Sequence, residues 1–351
     1  MSMDELRTRC GREWPAIAKA KRESAGRLDD LRQIVRDAGD GSPLDSEDIS
    51  VVAFGSLARE EWTEGSDLDW SLLIDGGADH EHAHTAAEFK RKLAESKFKR
   101  PGPTGVFGNL TFSHDLIHLI GGEDDTNRNT TRRMLLLLES RPINARGAYD
   151  RVIGGILTRY LENDFRAFRL KVPRFLLNDL HRFWRTMCVD YANKYRERAG
   201  KGWATRIIKL RMSRKVIFAA GLLTCFSCEP DLVKARNPAL AANPSVVAQV
   251  EYLRSFVGQT PLEIIAGFLT RIANQETARL ILDSYEHFVA VMDDAAKRKH
   301  LEDLPQPNGE EKDELFRDLI QCSRELHKGL LQLFFEDDPL LATLTRKYGI
   351  F

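Results

Sequence analysis

The sequence predicts an α+β protein in which a small mixed-sheet domain precedes a large all-helical region. Three observations carry that prediction. The short runs with strand character fall between residues 49 and 120. Beyond Thr130 the apolar residues recur at helical spacing, and the strand signal nearly vanishes. Glycine and proline punctuation at Gly39–Pro43, Gly76-Gly77, Pro101-Gly102-Pro103 and Gly121-Gly122 cuts the first part into short elements.

In order along the chain, Leu6, Trp14, Ile17, Leu28, Leu31 and Ile34 give residues 3–38 an apolar helical stripe with few breakers. Ile49–Phe54 is short, apolar and rich in β-branched residues, as a buried strand is. A Gly-Ser turn and a helical turn from Leu57 lead to a second strand, Asp67–Ile74. His80–Phe98 has a helical pattern ended by the Pro-Gly-Pro run. Leu110–Ile120 reads as one bent strand or a hairpin. Helices are then expected over Met134–Leu138, Val152–Tyr160, Phe175–Tyr195, Ile207–Phe226, Val246–Phe256, Ile264–Ile272, Ala278–Met292 and Leu315–Phe335, with a turn at Asn308-Gly309. The expected division is an N-terminal helix packing on the core (1–40), the mixed-sheet domain (41–145) and the helical domain (146–351).

Composition describes an ordinary globular chain: 351 residues, 42% hydrophobic and 30% charged, with zero net charge. The molecule as a whole therefore has no electrostatic reason to coat nucleic acid or a membrane. No apolar stretch approaches a membrane span, and the charged start, Met1-Ser2-Met3-Asp4-Glu5, is not that of a signal peptide. Five scattered cysteines argue against a disulfide framework, so a cytoplasmic protein is expected. The zero hides an asymmetry. Arg151–Lys215 carries 17 Lys/Arg against 5 Asp/Glu, an excess of 12 positive charges, which is the footprint of a polyphosphate or nucleic-acid partner.

The chemistry is expected between Phe54 and Trp70. Gly55 permits a tight turn and close approach of a ligand, and Ser56 presents a hydroxyl and an amide where a helix begins. Asp67 and Asp69, two apart in a strand, project from one face, while Leu68, Trp70 and Leu72 face the core. Two carboxylates side by side repel unless a cation lies between them, and hard oxygen ligands suit Mg²⁺ shared with substrate phosphates. A pair of such ions can activate an attacking oxygen and stabilise leaving pyrophosphate. No P-loop motif occurs.

The run apolar-Gly55-Ser56, about ten residues, then Asp67-Leu68-Asp69-Trp70 resembles the signature of the DNA polymerase β-like nucleotidyltransferase superfamily. Residues around Asp115, and then Thr130, Thr131 and Leu-Leu-Glu139-Ser140-Arg141-Pro142, are similar to the strand and following helix of PII uridylyltransferases and of uncharacterised nucleotidyltransferases related to them. The similarity covers roughly residues 50–145. It departs at His118, where those enzymes tend to carry an acid.

The resemblance implies a polymerase β-like catalytic domain at 41–145 that transfers NMP from an NTP to an acceptor and releases pyrophosphate. Asp67, Asp69 and Asp115 would be the catalytic and metal-binding carboxylates, holding two Mg²⁺ ions with Mn²⁺ as a substitute. Asp124 and Asp125 are the alternatives to Asp115. Gly55, Ser56, Arg59 and Ser66 would bind the nucleotide. Related enzymes complete the site with a basic side chain from a helical domain, here Lys209 or Arg206. The acceptor is open between a protein side chain and RNA. Two further readings share the motif: a cyclic oligonucleotide synthase of bacterial defence, and a silent regulatory or antitoxin-like module.

Other constellations point elsewhere. His114-Asp115 lies in strand-like sequence, against a metal phosphohydrolase. His80, His82 and His84 read as a solvated helix start. Cys225 and Cys228 lack a second pair for zinc and read as buried thiols. Asn178, Asp179, Arg182 and Arg185 thread an apolar helix, either facing a ligand or forming an internal network.

Overall fold

The computed structural model describes residues 2–39, 43–101, 106–164, 170–272, 274–305 and 313–349. The turns expected at residues 40–42, 102–103 and 308–309 lie outside the described residues. In the first part, α1 (Ser2–Cys10) and α2 (Pro15–Gly39) precede β1 (Ile49–Phe54), α3 (Gly55–Ala58), β2 (Asp69–Ile74) and α4 (His80–Glu95). Then come β3 (Asn109–Phe112), α5 (Ser113–Ile117), α6 (Asn127–Leu138), β4 (Ser140–Pro142) and α7 (Gly147–Asp164).

The helical region continues with α8 (Arg174–Glu197), α9 (Trp203–Lys209), a π turn (Leu210–Arg214), α10 (Lys215–Phe226), α11 (Pro230–Arg236) and α12 (Pro238–Ala242). It ends with α13 (Val246–Arg254), α14 (Pro261–Leu269), α15 (Gln275–Asp293), α16 (Ala295–Asp303), α17 (Glu314–Phe335) and α18 (Pro339–Tyr348). This is the predicted α+β order. No single helix among the described residues is long and apolar enough to cross a membrane.

The sheet runs β3-β2-β1-β4, with β1 antiparallel to both neighbours and β2 parallel to β3. Period-two alternation divides its side chains between two cores. Val51, Ala53, Leu68, Trp70, Leu72 and Ile74 face α2 and α4, and the Trp70 ring meets Phe89 edge-on at 4.7 Å. Val52, Phe54 and Leu73 join the larger core, which continues through α6 and α7 into the helical region. One sheet is thus buried on both sides, which is why all six residues of β1 are apolar or small.

Three expectations need correction. The N-terminal helix breaks at Gly11, whose φ of +58° suits glycine. Leu110–Ile120 is a strand for only its first residues, because the chain turns into α5 at Ser113 and packs Ile117 against Gly155 of α7. The stretch Glu139–Pro142 is no helix. Pro142 cannot prolong one, and Ser140 pairs with Phe54 to start β4.

Candidate active site

Phe54 ends β1 extended, and Gly55 then takes φ +67°. A Cβ there would stand 2.7 Å from Asp69 Oδ2. The absent side chain is therefore what lets the turn press against the first carboxylate of β2. The helix that follows is a single turn, closed by Arg59 N–H donating to Gly55 O and Glu61 N–H to Ser56 O. It offers local amides to an anion and is too short for a macrodipole of consequence.

Gly55, Ser56, Ser66, Asp67 and Asp69 line one wall of a cleft. Asp67 is exposed and held by a bridge to Lys99, with Leu68 N–H donating to Lys99 O at 2.9 Å. Ser66 is buried and hydrogen-bonded to Thr63, so it shapes the loop. The opposite wall carries Lys209, Ser213 and Arg214 from the α9–α10 helix, and Arg298 from α16. Residues five apart diverge by about 140° on an α-helix. The π turn widens the coil so that Lys209 and Arg214 both face the cleft, a common use of such turns at functional sites. Arg298 lies over Gly65, where a Cβ would meet its guanidinium, and reaches Thr63 Oγ1 at 3.4 Å.

Electrostatics follow from this packing. Burial and the neighbouring Asp67 push the Asp69 carboxyl up to about 7, against the pull of Arg214 and Arg59. Burial and the nearby Arg298 bring the Lys209 ammonium down to about 8, against the pull of Asp67. Beneath the cleft, Glu139 is fully buried between two guanidiniums. Arg59 Nη1 donates to one oxygen, and Arg214 Nη1 to the other at 2.9 Å. Arg59 Nε also donates to Glu61 at 2.8 Å, and Glu61 accepts from Tyr285 of α15. Burial opposes the Arg59 charge, but Glu61 and Glu139 outweigh it and hold the group protonated.

The structure thus gathers Gly55, Ser56, Arg59, Ser66, Asp67, Asp69 and Lys209. Two expected residues are elsewhere. Arg206 faces Tyr191 and Arg198 on the α8 side. Asp115 lies on α5 near Arg132. Because β2 and β3 are parallel, with Phe112 beside Ile74, α5 starts at the end of the sheet away from Asp69. The gap is roughly 16 Å at about 3.3 Å per residue.

Neither alternative replaces Asp115. Asp124 is exposed, and Asp125 is buried in a bidentate pair with Arg133, at 2.8 and 2.7 Å. Gly108 N–H donates to Trp70 O, and Phe107, just before β3, packs its ring 5.5 Å from that of Phe54. No group of three or more acidic, His or Cys side chains among the described residues forms a metal-holding cluster.

Several of the remaining candidates resolve as structure, while Asn178, Arg182 and Arg185 line a separate cavity of about 620 Å³ on α8. His82 closes a capping box with Asp79 at the start of α4. Cys225 and Cys228 are buried thiols, pushed up by burial, Cys228 to about 12. Asp179 and Arg182 belong to the Asp125–Arg133 network. Sequence reasoning missed the roles of Arg214, Glu139 and Arg298. The five-residue spacing from Lys209 hid Arg214, and nothing local in the chain marks Arg298.

Residues 28–100 match the family model of a nucleotidyltransferase domain, a span covering the second half of α2, the Gly55-Ser56 turn and both aspartates. No curated protein and no solved structure matches the chain.

Proposed function

We propose that this chain, proceeding from the nucleotidyltransferase domain that residues 28–100 match, moves NMP from an NTP to an acceptor hydroxyl and releases pyrophosphate. One observation carries the reading. The Gly55-Ser56 turn is pressed onto Asp69, and the cleft it lines with Asp67 faces a wall of Lys209, Arg214 and Arg298. A phosphate cradle, a carboxylate pair and opposed cations are what transfer of a phosphoryl-type group requires.

The donor set fits a hard divalent ion. Asp67 and Asp69 supply anionic oxygens, and burial together with Asp67 raises the Asp69 carboxyl, a strain that a bound cation would relieve. These two residues would hold Mg²⁺, or Mn²⁺ in its place, and a second ion would need oxygens from phosphate and water. Such an ion neutralises phosphate charge and favours the ionised acceptor hydroxyl. The chain's own part is positioning. Ser56 and the turn amides hold the terminal phosphates, Lys209 and Arg298 balance their charge, and Arg59 and Glu139 fix Arg214. The cleft has room for about 80 Å³, well under the roughly 300–1,000 Å³ of small-molecule sites.

A second reading is favoured by the place of Asp115 on α5, away from Asp67 and Asp69: a module that binds nucleotide without turning it over. Incubation with each α-labelled NTP, Mg²⁺ and RNA or protein acceptors separates the readings. Labelled acceptor supports transfer, and product formed without acceptor indicates oligonucleotide synthesis. Nucleotide binding by calorimetry with no labelled product under any condition establishes the silent module.

A further inference from the structure

We infer that the cationic face formed by α8, α9 and the π turn, leaving the cleft past Arg214, is a track for the phosphate backbone of a single-stranded polynucleotide. Its terminal hydroxyl would be the acceptor at Asp67 and Asp69, and that clause rests on the transferase reading above.

The charges come first. Within the stretch of 12 excess positive charges, Arg182 and Arg214 have carboxylate partners. Lys194, Arg198, Arg206, Arg211 and Lys215 form no ion pair among the described residues. Tyr191 and Lys194, three apart, share one face of α8, and Arg198 caps its C-terminal end. That helix packs against α9 and α10, locked by Trp184 stacked on Phe218 at 5.2 Å. Arg206 Nε and Nη2 are shielded from solvent and have no hydrogen-bond partner.

The five cations also repel one another. Burial pulls Lys194 down, and Arg214, Arg198 and Arg206 add to this against Asp190. Burial and Arg198 do the same to Arg206, and burial and Arg211 to Lys215. His327 of α17 is lowered by burial, Lys215 and Arg211. A fold that holds so many like charges together is relieved by a bound polyanion.

Shape selects the polyanion. Arg206 to Lys215 covers about 14 Å of helix at about 1.5 Å per residue, longer than one triphosphate. Arg214 belongs both to the cleft and to the group acting on Lys194, so the track is continuous with the site. Tyr191 sits among these cations, close to Arg206 and Arg211. An aromatic ring among cations suits base stacking by a single strand. An acidic polypeptide offers the charge without a base to stack.

The test uses anisotropy of a fluorescein-labelled mixed-sequence 12-nucleotide RNA, with poly-glutamate of equal length as the rival probe. The wild type should bind the RNA with a log–log salt slope near −3.5, from five phosphate contacts at about 0.7 each. Lys194→Glu/Arg198→Glu should weaken RNA at least tenfold and flatten the slope by about 1.4. The milder Lys194→Gln/Arg198→Gln pair should act in the same direction, with an unchanged thermal midpoint. NTP affinity by calorimetry should change less than twofold in both. RNA binding that survives charge reversal, equal binding of poly-glutamate, or parallel loss of NTP affinity would each overturn the track. Asp67→Asn/Asp69→Asn should keep RNA binding. RNA bound on the track but never extended with labelled NTP would remove the transferase reading and leave the track standing.

Discussion

Gly55 meets two demands at one position, a φ of +67° and a Cβ site 2.7 Å from Asp69 Oδ2. Alanine there would be strained in its backbone and would displace the carboxylate. Asp69 itself costs the empty fold. Its carboxyl stands near 7, above the ordinary range, so the stability it lends below about 4 is lost as pH rises through 7. Asp69→Asn should therefore abolish NMP transfer while its melting temperature at pH 8 equals or exceeds that of the wild type. Asp67→Ala should abolish transfer equally. Full turnover in the double variant at saturating Mg²⁺ and NTP rejects the enzyme reading. Lys209 and Arg206 part company in the same way. Lys209→Ala should weaken NTP about ten- to a hundredfold, the loss of roughly 1.5–3 kcal/mol of charged hydrogen bonding, and spare NMP. Arg206→Ala, outside the cleft, should leave NTP binding unaltered. Calorimetric titration of both nucleotides against both variants decides between them.

At the scale of elements, local chemistry explains what the sequence revealed. Ile49–Phe54 and, within the expected Asp67–Ile74, the strand Asp69–Ile74 were legible because β-branched and apolar residues crowd short runs bounded by turns. The Gly-Ser and Asp-x-Asp pattern was legible because it depends on one turn and one period of two. Asp115 was misplaced because a parallel register is set by long-range pairing, which no local pattern encodes. The helix pattern also hid β4, three residues long. It hid the π turn as well, since apolar spacing cannot show one extra residue per coil. Glu139, just before β4, ties these unseen elements together by bridging Arg59 of the loop after α3 to Arg214 at the π turn. Removing one partner from a buried network strands the others, at about 3–5 kcal/mol. Glu139→Gln should lower unfolding free energy by that order in denaturant titration. A change under about 0.5 kcal/mol would mean that the two arginines find other partners.

Across the whole molecule, two networks join residues 41–145 to the helical region. One lies under the cleft. The other is Asp125, Arg133, Tyr160 and Asp179, which links the loop before α6 to α6, α7 and α8. Arg133 is fully buried, and its guanidinium forks onto both oxygens of Asp125 while also donating to Asp179 at 2.9 Å. Burial alone would push the Asp125 carboxyl up. The Arg133 hydrogen bonds, the Gly121 amide and Arg182 outweigh it, so the group lies below the ordinary carboxylate value. A depressed acid stabilises the fold fully above its unfolded value near 3.8, and loses that contribution as pH falls through the folded one. The melting temperature should therefore change little on this account between pH 8 and 5 and fall steeply below about pH 4. Asp125→Asn keeps the shape and removes the charge, which leaves Asp179 as the one carboxylate paired with Arg133 among the described residues. The variant should be less stable at pH 7 by about 3–5 kcal/mol. Its further loss below pH 4 should be smaller than the wild type's, because this carboxylate no longer has a proton to take up. Parallel acid profiles for the two proteins would show that the network does not carry the acid sensitivity.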